Sequence, residues 1–299
     1  MTDITLLDGS IGQEIVKRSG ERPTPLWSTQ VMIDHPGIVR DVHRDYFAAG
    51  ATIATTNSYA IHRDRLHMGG IDENELPRLL DCALSEAEAA RDAQGGGRIA
   101  ASLGPLGASY RPDICPPPEE AEGPYAELVQ HMDKRADFFL IETASSVAQA
   151  EGALRGTAKS TRPVWLSVSV DDDDGSLLRS GESVADLAGI VAQYAPDAVL
   201  VNCSRPEAIA AALDVVKGFD RPFGAYANGF TRITAAFLED APTVEALTER
   251  TDLGPEAYAD FAMGWVAQGA TIIGGCCEVG PDHIAELAAQ LRAAGHEIV

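Results

Sequence analysis

Two adjacent cysteines, Cys276 and Cys277, follow a short apolar segment that ends in Gly274 and Gly275. Neighbouring cysteines rarely pair with each other, because a disulfide needs two Cα atoms that lie further apart. Two thiolates can instead bind one soft metal ion if a third ligand approaches from elsewhere in the chain. The two glycines allow the backbone to fold closely enough for both sulfur atoms to point inward. The pair therefore predicts a thiolate metal site.

Cys203 is the expected third ligand, because it also stands directly after an apolar run. If the runs before Cys203 and Cys276 are the sixth and eighth strands of a barrel, their carboxyl ends share one mouth. Three thiolates with one open position are typical of a catalytic zinc site, whereas a structural zinc has four protein ligands. We therefore predict a Zn²⁺ ion bound by Cys203, Cys276 and Cys277.

Polar residues follow several other apolar runs, and they are Asp8, Gly9, Asn57, Glu142 and Asn228. For any one of them, a capping or loop role would be the ordinary explanation. Five such residues at strand ends are better explained by a shared binding site, because barrel enzymes concentrate their chemistry there. We therefore predict that these five residues bind substrate.

Eight apolar runs rich in β-branched residues predict the strands that position these side chains. They are Ile4–Asp8, Thr52–Asn57, Arg98–Leu103, Asp137–Glu142, Val164–Val170, Ala198–Asn202, Phe223–Ala227 and Ala270–Ile273. Helical patterns lie between them, among them Glu73–Ala93, Ser183–Tyr194, Pro206–Lys217, Pro255–Gln268 and Pro281–Ala294. Strands that alternate with helices predict parallel βαβ units.

Eight such units in 299 residues predict an α/β fold, a single (β/α)8 TIM barrel that spans residues 1–299. An open doubly wound sheet is the alternative, but eight strands would make it wide, and no glycine-rich dinucleotide loop follows the first strand. Three long connections, Gly104–Pro124, Asp171–Glu182 and the acidic Gly229–Gly254, are predicted to lie at the mouth of the barrel. The sequence leaves open whether the acidic connection closes over the site.

The charge balance indicates which partners to exclude. The chain has 23 Lys and Arg against 45 Asp and Glu, a net charge of −22. Such a surface repels nucleic acid and anionic membranes, but it tolerates cationic ligands. With no export signal and no long apolar span, we expect a cytoplasmic protein whose five cysteines are reduced thiols. Cys82 and Cys115 are expected to be inert.

Seven short motifs, in this order along the chain, resemble those of the homocysteine S-methyltransferase family. They are Asp8-Gly9-Ser10, Thr56-Asn57-Ser58-Tyr59, Ser102-Leu103-Gly104-Pro105, Glu142-Thr143, Val201-Asn202-Cys203, Ala227-Asn228-Gly229 and Gly274-Gly275-Cys276-Cys277. The resemblance covers nearly the whole chain. The family includes betaine-dependent and S-methylmethionine-dependent enzymes and the homocysteine-binding module of cobalamin-dependent methionine synthase.

The resemblance implies a homocysteine-binding barrel with zinc on the three predicted cysteines. It also implies that Asp8 and Glu142 hold the amino group of homocysteine and that backbone amides near Gly9 meet its carboxylate. Trp27, after Pro25-Leu26, resembles the S-methylmethionine branch. Trp27 and Tyr59 are candidates to hold a cationic donor through their aromatic faces.

The expected reaction moves a methyl group from a sulfonium or quaternary ammonium donor to the thiol of L-homocysteine, giving methionine. S-Methylmethionine or S-adenosylmethionine is the favoured donor, and we expect no catalytic residue beyond the metal site. The alternatives are another thiol or selenol acceptor, a betaine-type donor, or a non-enzymatic zinc or thiol redox sensor. A sensor would not explain the polar strand ends. The expected partners are small molecules only, and the sequence leaves the oligomeric state open.

Overall fold

The computed structural model describes residues 2–20, 26, 28–239 and 246–299 of the chain. The predicted donor residue Trp27 and residues 240–245 of the acidic connection lie outside this description.

Eight parallel strands form a curled sheet, which confirms the predicted α/β barrel. They are β1 (Asp3–Leu6), β2 (Ile53–Thr55), β3 (Arg98–Leu103), β4 (Phe138–Ala144), β5 (Val164–Val168), β6 (Ala198–Asn202), β7 (Phe223–Ala227) and β8 (Ile272–Gly275). Each strand from β2 to β7 pairs with the strand that follows it in the chain, and β8 pairs with β1. At the remaining seam, the backbone N–H of Thr52 donates to the carbonyl of Leu6 at 2.8 Å, so the sheet returns to its start.

Several strands end two residues before or after the predicted bound, and the largest differences are at the last strand of the barrel and at an additional strand. The last strand of the barrel runs through Gly274 and Gly275 instead of ending at Ile273. A Cβ at Gly274 would lie 2.5 Å from the Leu7 side chain, so the glycines continue the strand because its neighbours leave no room for a side chain. A ninth strand, β9 (Glu297–Ile298), pairs with β1 and was not predicted, because two residues carry no periodic signal.

The helices are α1 (Ile11–Ser19), α2 (Ser28–Asp34), α3 (Ile38–Ala49), α4 (Arg63–Met68), α5 (Leu76–Gln94), α6 (Pro118–Met132), α7 (Val147–Thr157), α8 (Ala188–Tyr194), α9 (Pro206–Val216), α10 (Pro255–Ala267) and α11 (Pro281–Ala293). The predicted helical segments coincide with α5, α8, α9, α10 and α11. The predicted segment from Ser183 begins as a 3-10 turn, Val184–Leu187, before α8.

The predicted loop Gly104–Pro124 is wrong in its second half, where α6 begins at Pro118. Proline suits the first position of a helix, because its fixed φ is already helical and its missing N–H would have no partner there. Glu119 and Glu120 then favour the positive end of the helix dipole. In their described residues, the other two long connections contain isolated antiparallel bridges such as Val170 to Leu178 and Phe230 to Glu249, and the second also contains a 3-10 turn, Ala235–Leu238.

Side chains inside the barrel pack separately from the layer between strands and helices. The inner cluster consists of Leu7, Ile53, Ala100, Phe138, Leu140, Trp165, Ala198, Leu200, Tyr226 and Ile272. These residues fill the barrel, so any site must lie at a rim and not along the axis. In the described part of the chain, no helix is long and apolar enough to cross a membrane.

Candidate active site

A cavity that is open to solvent at its mouth lies where the strands end. The residues that line it come from β1, β2, β3, β4, β6, β7 and β8 and from the segments that follow them. The predicted residues on its wall are Asp8, Gly9, Asn57, Tyr59, Glu142, Cys203, Cys276 and Cys277. The structure therefore brings together eight of the ten residues that the sequence singled out.

Three cysteine sulfur atoms converge on one side of this cavity. The Sγ atoms of Cys203, Cys276 and Cys277 all lie within 4.8 Å of one another. Cys203 follows β6 and the other two follow β8, and backbone N–H groups of Cys203 and Cys276 both donate to carbonyls of β7 between them. No other group of three or more such ligands converges in the parts of the chain that the structure describes.

Cys203 and Cys276 form a disulfide, with their Cα atoms 5.7 Å apart. The prediction that all five cysteines are reduced thiols is therefore wrong for this pair in the structure. The reason is geometric, because the ends of β6 and β8 flank β7 at a separation that suits a disulfide. Cys277 keeps a free thiol, and Cys82 and Cys115 are free thiols outside the cluster.

The donor set of this cluster suits a soft metal ion. Sulfur atoms bound tetrahedrally to zinc at about 2.3 Å lie roughly 3.8 Å apart. The Sγ atoms of Cys276 and Cys277 are 4.0 Å apart, close to that spacing. Burial, followed by the charges of Glu278 and Glu142, raises the pKa of Cys277 to about 12. A nearby positive charge is thus needed to make this thiol a thiolate at neutral pH, and a metal ion would supply it.

Asp8 follows β1 and is almost fully buried on the cavity wall. Its carboxylate accepts hydrogen bonds from the backbone N–H of Thr55 at 2.6 Å and from the Thr55 hydroxyl at 2.7 Å. Burial raises the pKa of Asp8 to about 7, against the lowering effect of these bonds, and the charge of Glu142 raises it further. The His43 ring lies 4.0 Å from this carboxylate, but burial lowers the pKa of His43 to about 4, so near neutral pH it does not supply a positive charge.

Glu142 lies in β4 and faces the same cavity. The Ser102 hydroxyl donates to one carboxylate oxygen, and the Tyr226 hydroxyl donates to the other at 3.1 Å. Burial raises the pKa of Glu142 despite these two bonds. Two carboxylates that are both destabilised by burial make a favourable site for an ammonium group.

Helix α1 begins at the wall of the cavity, directly after Gly9. A Cβ at Gly9 would lie 2.1 Å from the carbonyl oxygen of Val279, so only glycine fits at this turn. Ser10, at the N-cap, makes no side-chain capping bond, and its hydroxyl donates to Gln13 instead. The first turn of α1 lines the cavity, and its N–H groups favour a carboxylate there.

The two predicted asparagines are placed differently. Asn57 lines the cavity and binds Ser28 at the start of α2, donating from Nδ2 to the Ser28 carbonyl at 3.3 Å. Asn228 is buried behind the wall, where its Oδ1 accepts from the Phe230 N–H at 3.1 Å. The structure therefore does not bring Asn228 to the cavity, because its side chain shapes the turn that follows β7.

Asn202 is a positioning residue that the sequence reasoning missed, although it lies in a quoted motif. Its Oδ1 accepts from the Thr143 N–H at 2.9 Å and from the Ser167 hydroxyl at 2.8 Å. Its Nδ2 donates to the Thr143 hydroxyl at 2.9 Å. Thr143 has a φ of +61°, an unfavourable backbone conformation, and these bonds hold it beside Glu142.

Tyr59 and Arg65 form the wall of the cavity that follows β2. The Tyr59 hydroxyl lies 2.8 Å from the Ser109 hydroxyl, and the Arg65 guanidinium lies over the Tyr59 ring at 5.3 Å. One face of Tyr59 is therefore already in contact with a cation. Arg65 was also missed, and the signal was a charged residue beside Leu66 on the buried side of a short helix.

Known proteins match this chain along nearly its whole length. A family model described as homocysteine S-methyltransferase matches residues 5–291. Homocysteine S-methyltransferase of Escherichia coli is 30% identical over 305 residues, covering 96% of this chain and 95% of that protein. Homocysteine S-methyltransferase YbgG of Bacillus subtilis is 29% identical over 314 residues, covering 97% and 95%.

A selenocysteine Se-methyltransferase of Brassica oleracea is more distant, at 25% identity over 312 residues, with 93% of this chain and 86% of that protein covered. Among solved structures, the Escherichia coli homocysteine methyltransferase MmuM superposes in its metallated form with a TM-score of 0.80 and 28% identity, covering 97% and 96%. The oxidised form of MmuM superposes equally well.

Proposed function

The chain belongs to the homocysteine S-methyltransferase family, and we propose that it is a zinc-dependent enzyme that methylates the thiol of L-homocysteine to give methionine. The observation that carries the proposal is the convergence of three cysteine sulfur atoms and two buried carboxylates on one cavity. Membership of an enzyme family also sets aside the redox sensor as the primary role.

The amino-acid end of homocysteine is bound by residues of β1, β4 and α1. Asp8 and Glu142 accept the ammonium group, which supplies the positive charge that both buried carboxylates lack. The first turn of α1, beside Gly9, accepts the carboxylate through its N–H groups. Held at both charged groups, the substrate has its side chain directed along the cavity, so its thiol can reach the cysteine cluster.

Cys203, Cys276 and Cys277 would hold the Zn²⁺ ion, which would supply the positive charge that keeps the homocysteine thiol deprotonated at neutral pH. The three residues fit this role by their soft sulfur ligands, and the Sγ atoms of Cys276 and Cys277 are 4.0 Å apart, close to the spacing in a zinc site. Since Cys203 and Cys276 are joined as a disulfide in the structure, the active enzyme requires that this bond be reduced.

Methyl transfer needs alignment more than acid or base catalysis. The homocysteine thiolate attacks the methyl carbon, a new S–C bond forms, and the bond from that carbon to the cationic sulfur or nitrogen of the donor breaks. The electron pair stays on the leaving atom, which departs neutral, so no proton has to be supplied. The walls of the cavity hold the two reactants in line, and this explains why no further catalytic residue is required.

S-Methylmethionine or S-adenosylmethionine remains the proposed donor. The test is to supply the reduced, zinc-loaded protein with homocysteine and, separately, S-methylmethionine, S-adenosylmethionine, betaine or dimethylsulfoniopropionate. Homocysteine that carries deuterium on its carbon chain should be converted to deuterated methionine, measured by mass spectrometry. Absence of labelled methionine with all four donors would refute the proposed reaction.

A selenol acceptor is a second candidate, since a selenocysteine Se-methyltransferase is among the relatives. Adding selenocysteine in competition with homocysteine in the same assay separates the two. If kcat/KM for selenocysteine exceeded that for homocysteine under reducing conditions, the acceptor would have to be reassigned.

A further inference from the structure

Arg65 places a guanidinium group on the wall of the cavity, and the proposed function gives it no role in binding the metal or homocysteine. It is the only Lys or Arg on the described wall of the cavity. The residue is 8% exposed, and its Nη1 atom is buried without a hydrogen-bond partner.

Two carboxylates contact the segment that contains Arg65, and both are bonded to other groups. Asp64 accepts from the backbone N–H of Arg65 at 2.8 Å and from the Gly107 N–H at 2.7 Å. Glu127 is paired with Arg63 at 2.7 Å. In contrast, the equally buried guanidinium of Arg179 has a carboxylate partner, Asp172, at 2.9 Å.

A buried cation without an anionic partner is unfavourable, so proteins normally pair it. In Arg65 the guanidinium lies over the Tyr59 ring, which fixes its plane without using its N–H donors. A planar group held in this way is prepared to bind a carboxylate through two parallel hydrogen bonds. The cavity therefore contains an anion site that is separate from the two buried carboxylates.

The position of Arg65 indicates which substrate carries that anion. The strand order places β2, which precedes Arg65, opposite β6, which precedes Cys203, across the barrel mouth. Homocysteine in the proposed function already has its amino group on Asp8 and Glu142, its carboxylate at α1 and its thiol at the cysteine cluster. The donor must approach that thiol from the remaining side, where Tyr59, Arg65, Ser109 and Tyr110 line the cavity.

We propose that Arg65 binds the carboxylate of the methyl donor, so that the donor is a zwitterion with a methyl onium group at one end and a carboxylate at the other. This inference rests on the proposed function and assigns Arg65 as the residue that selects donors with a carboxylate. A donor that carries only the cation would face Arg65 without compensation, and like-charge repulsion would disfavour it.

The first test needs no variant. Wild-type zinc-loaded enzyme is given S-methylmethionine or S-methylmethioninamide, whose carboxylate is replaced by a neutral amide. A carboxylate bound by a buried guanidinium should make kcat/KM roughly 10- to 100-fold higher for the acid than for the amide. Equal use of the two donors would overturn the proposal.

The second test compares Arg65→Met and Arg65→Lys with the control Arg63→Gln, which removes the neighbouring arginine that pairs with Glu127 outside the cavity. Arg65→Met should raise KM for S-methylmethionine about 10- to 100-fold and leave KM for homocysteine within about 2-fold. Arg65→Lys, which keeps the charge but loses the fork, should fall between Arg65→Met and the wild type. A rise in KM for homocysteine alone would assign Arg65 to the acceptor and overturn the proposal.

Calorimetric titration of S-methylmethionine into the reduced, metal-free protein distinguishes this failure from failure of the proposed function. If no donor yields methionine but S-methylmethionine binds and the affinity depends on Arg65, the reaction is wrong and the anion site stands. If methionine forms and the affinity is the same for wild type and Arg65→Met, the reaction stands and the anion site is wrong.

Discussion

Replacing Glu142 by glutamine tests the proposed ammonium site, because it removes one charge and almost no volume. The side chain accepts hydrogen bonds from the Ser102 and Tyr226 hydroxyls, and both hydroxyls can reorient to suit an amide. The lost interaction is a charge-assisted hydrogen bond to the homocysteine ammonium, worth about 1.5–3 kcal/mol. We therefore expect KM for homocysteine to rise roughly 10- to 150-fold, with bound zinc unchanged.

The same variant should not lose stability. Burial raises the pKa of Glu142 in the folded protein, so between its unfolded and folded pKa values the folded state binds more protons than the unfolded state. Stability from this group is therefore present at low pH and is lost as pH rises through the folded pKa. Glutamine has no charge to desolvate, so at pH 8 the free energy of unfolding of Glu142→Gln should equal or exceed that of the wild type.

Glu86→Gln is the matched control, since the carboxylate of Glu86 accepts from the backbone N–H groups of Gly37 at 2.6 Å and Arg40 at 2.8 Å, outside the cavity. This change should lower stability by about 1 kcal/mol and leave KM unchanged. Steady-state kinetics, denaturant unfolding and zinc analysis on all three proteins give the comparison. A wild-type KM for homocysteine in Glu142→Gln would refute the assignment, and a marked loss of stability would show that its charge serves the fold.

Three further changes test other parts of the site. Cys276→Ala should abolish both zinc binding and turnover, whereas Cys115→Ala, outside the cluster, should alter neither. Full zinc content in Cys276→Ala, measured by mass spectrometry, would refute the proposed metal site. Burial raises the pKa of Asp8 to about 7, so calorimetry should show that methionine binds more tightly as pH rises through 7. The variant Asp8→Asn should bind methionine weakly at every pH. An unchanged pH profile in that variant would assign the titration to another group. Gly9→Ala should lower the free energy of unfolding by about 1–3 kcal/mol, because its Cβ would collide with Val279. The control Gly123→Ala, in open space on α6, should not destabilise the protein. Equal thermal midpoints for the two variants would show that the turn at Gly9 can relax.

Periodic patterns predicted the barrel because each βα unit repeats the same alternation of apolar and helical segments. The errors lie where local signals have two meanings. Pro118 stands beside two other prolines, a pattern that is typical of a loop, yet proline is also favoured at the first position of a helix. The prediction ended the last strand at Ile273, yet Gly274 and Gly275 continue β8, where Leu7 and Val279 leave no room for a Cβ. Only the three-dimensional neighbours decide between the two meanings.

The candidate site was predicted where a residue stands at a strand end and missed where its role depends on contacts across the barrel. Cys203 and Glu142 are visible in sequence because each closes an apolar run. Asn202 closes a run as well, but its role depends on Thr143, which is 59 residues away in the chain. Arg65 lies on a helix, and its lack of a partner becomes apparent only when the bonds of Asp64 are known.

The charges in the cavity explain why these residues belong to one mechanism. Burial raises the pKa of Asp8, of Glu142 and of Cys277, so the protein alone disfavours the ionised form of these three groups. In the proposed function, a cation would stabilise each of these anions: the ammonium group of the acceptor for the two carboxylates, and the metal ion for the Cys277 thiolate. Arg65 has the opposite requirement, because its guanidinium is a cation whose Nη1 atom is buried without a hydrogen-bond partner. If the proposed function is correct, metal and substrates would neutralise these buried groups, and the binding free energy released would help to align the sulfur atom with the methyl carbon.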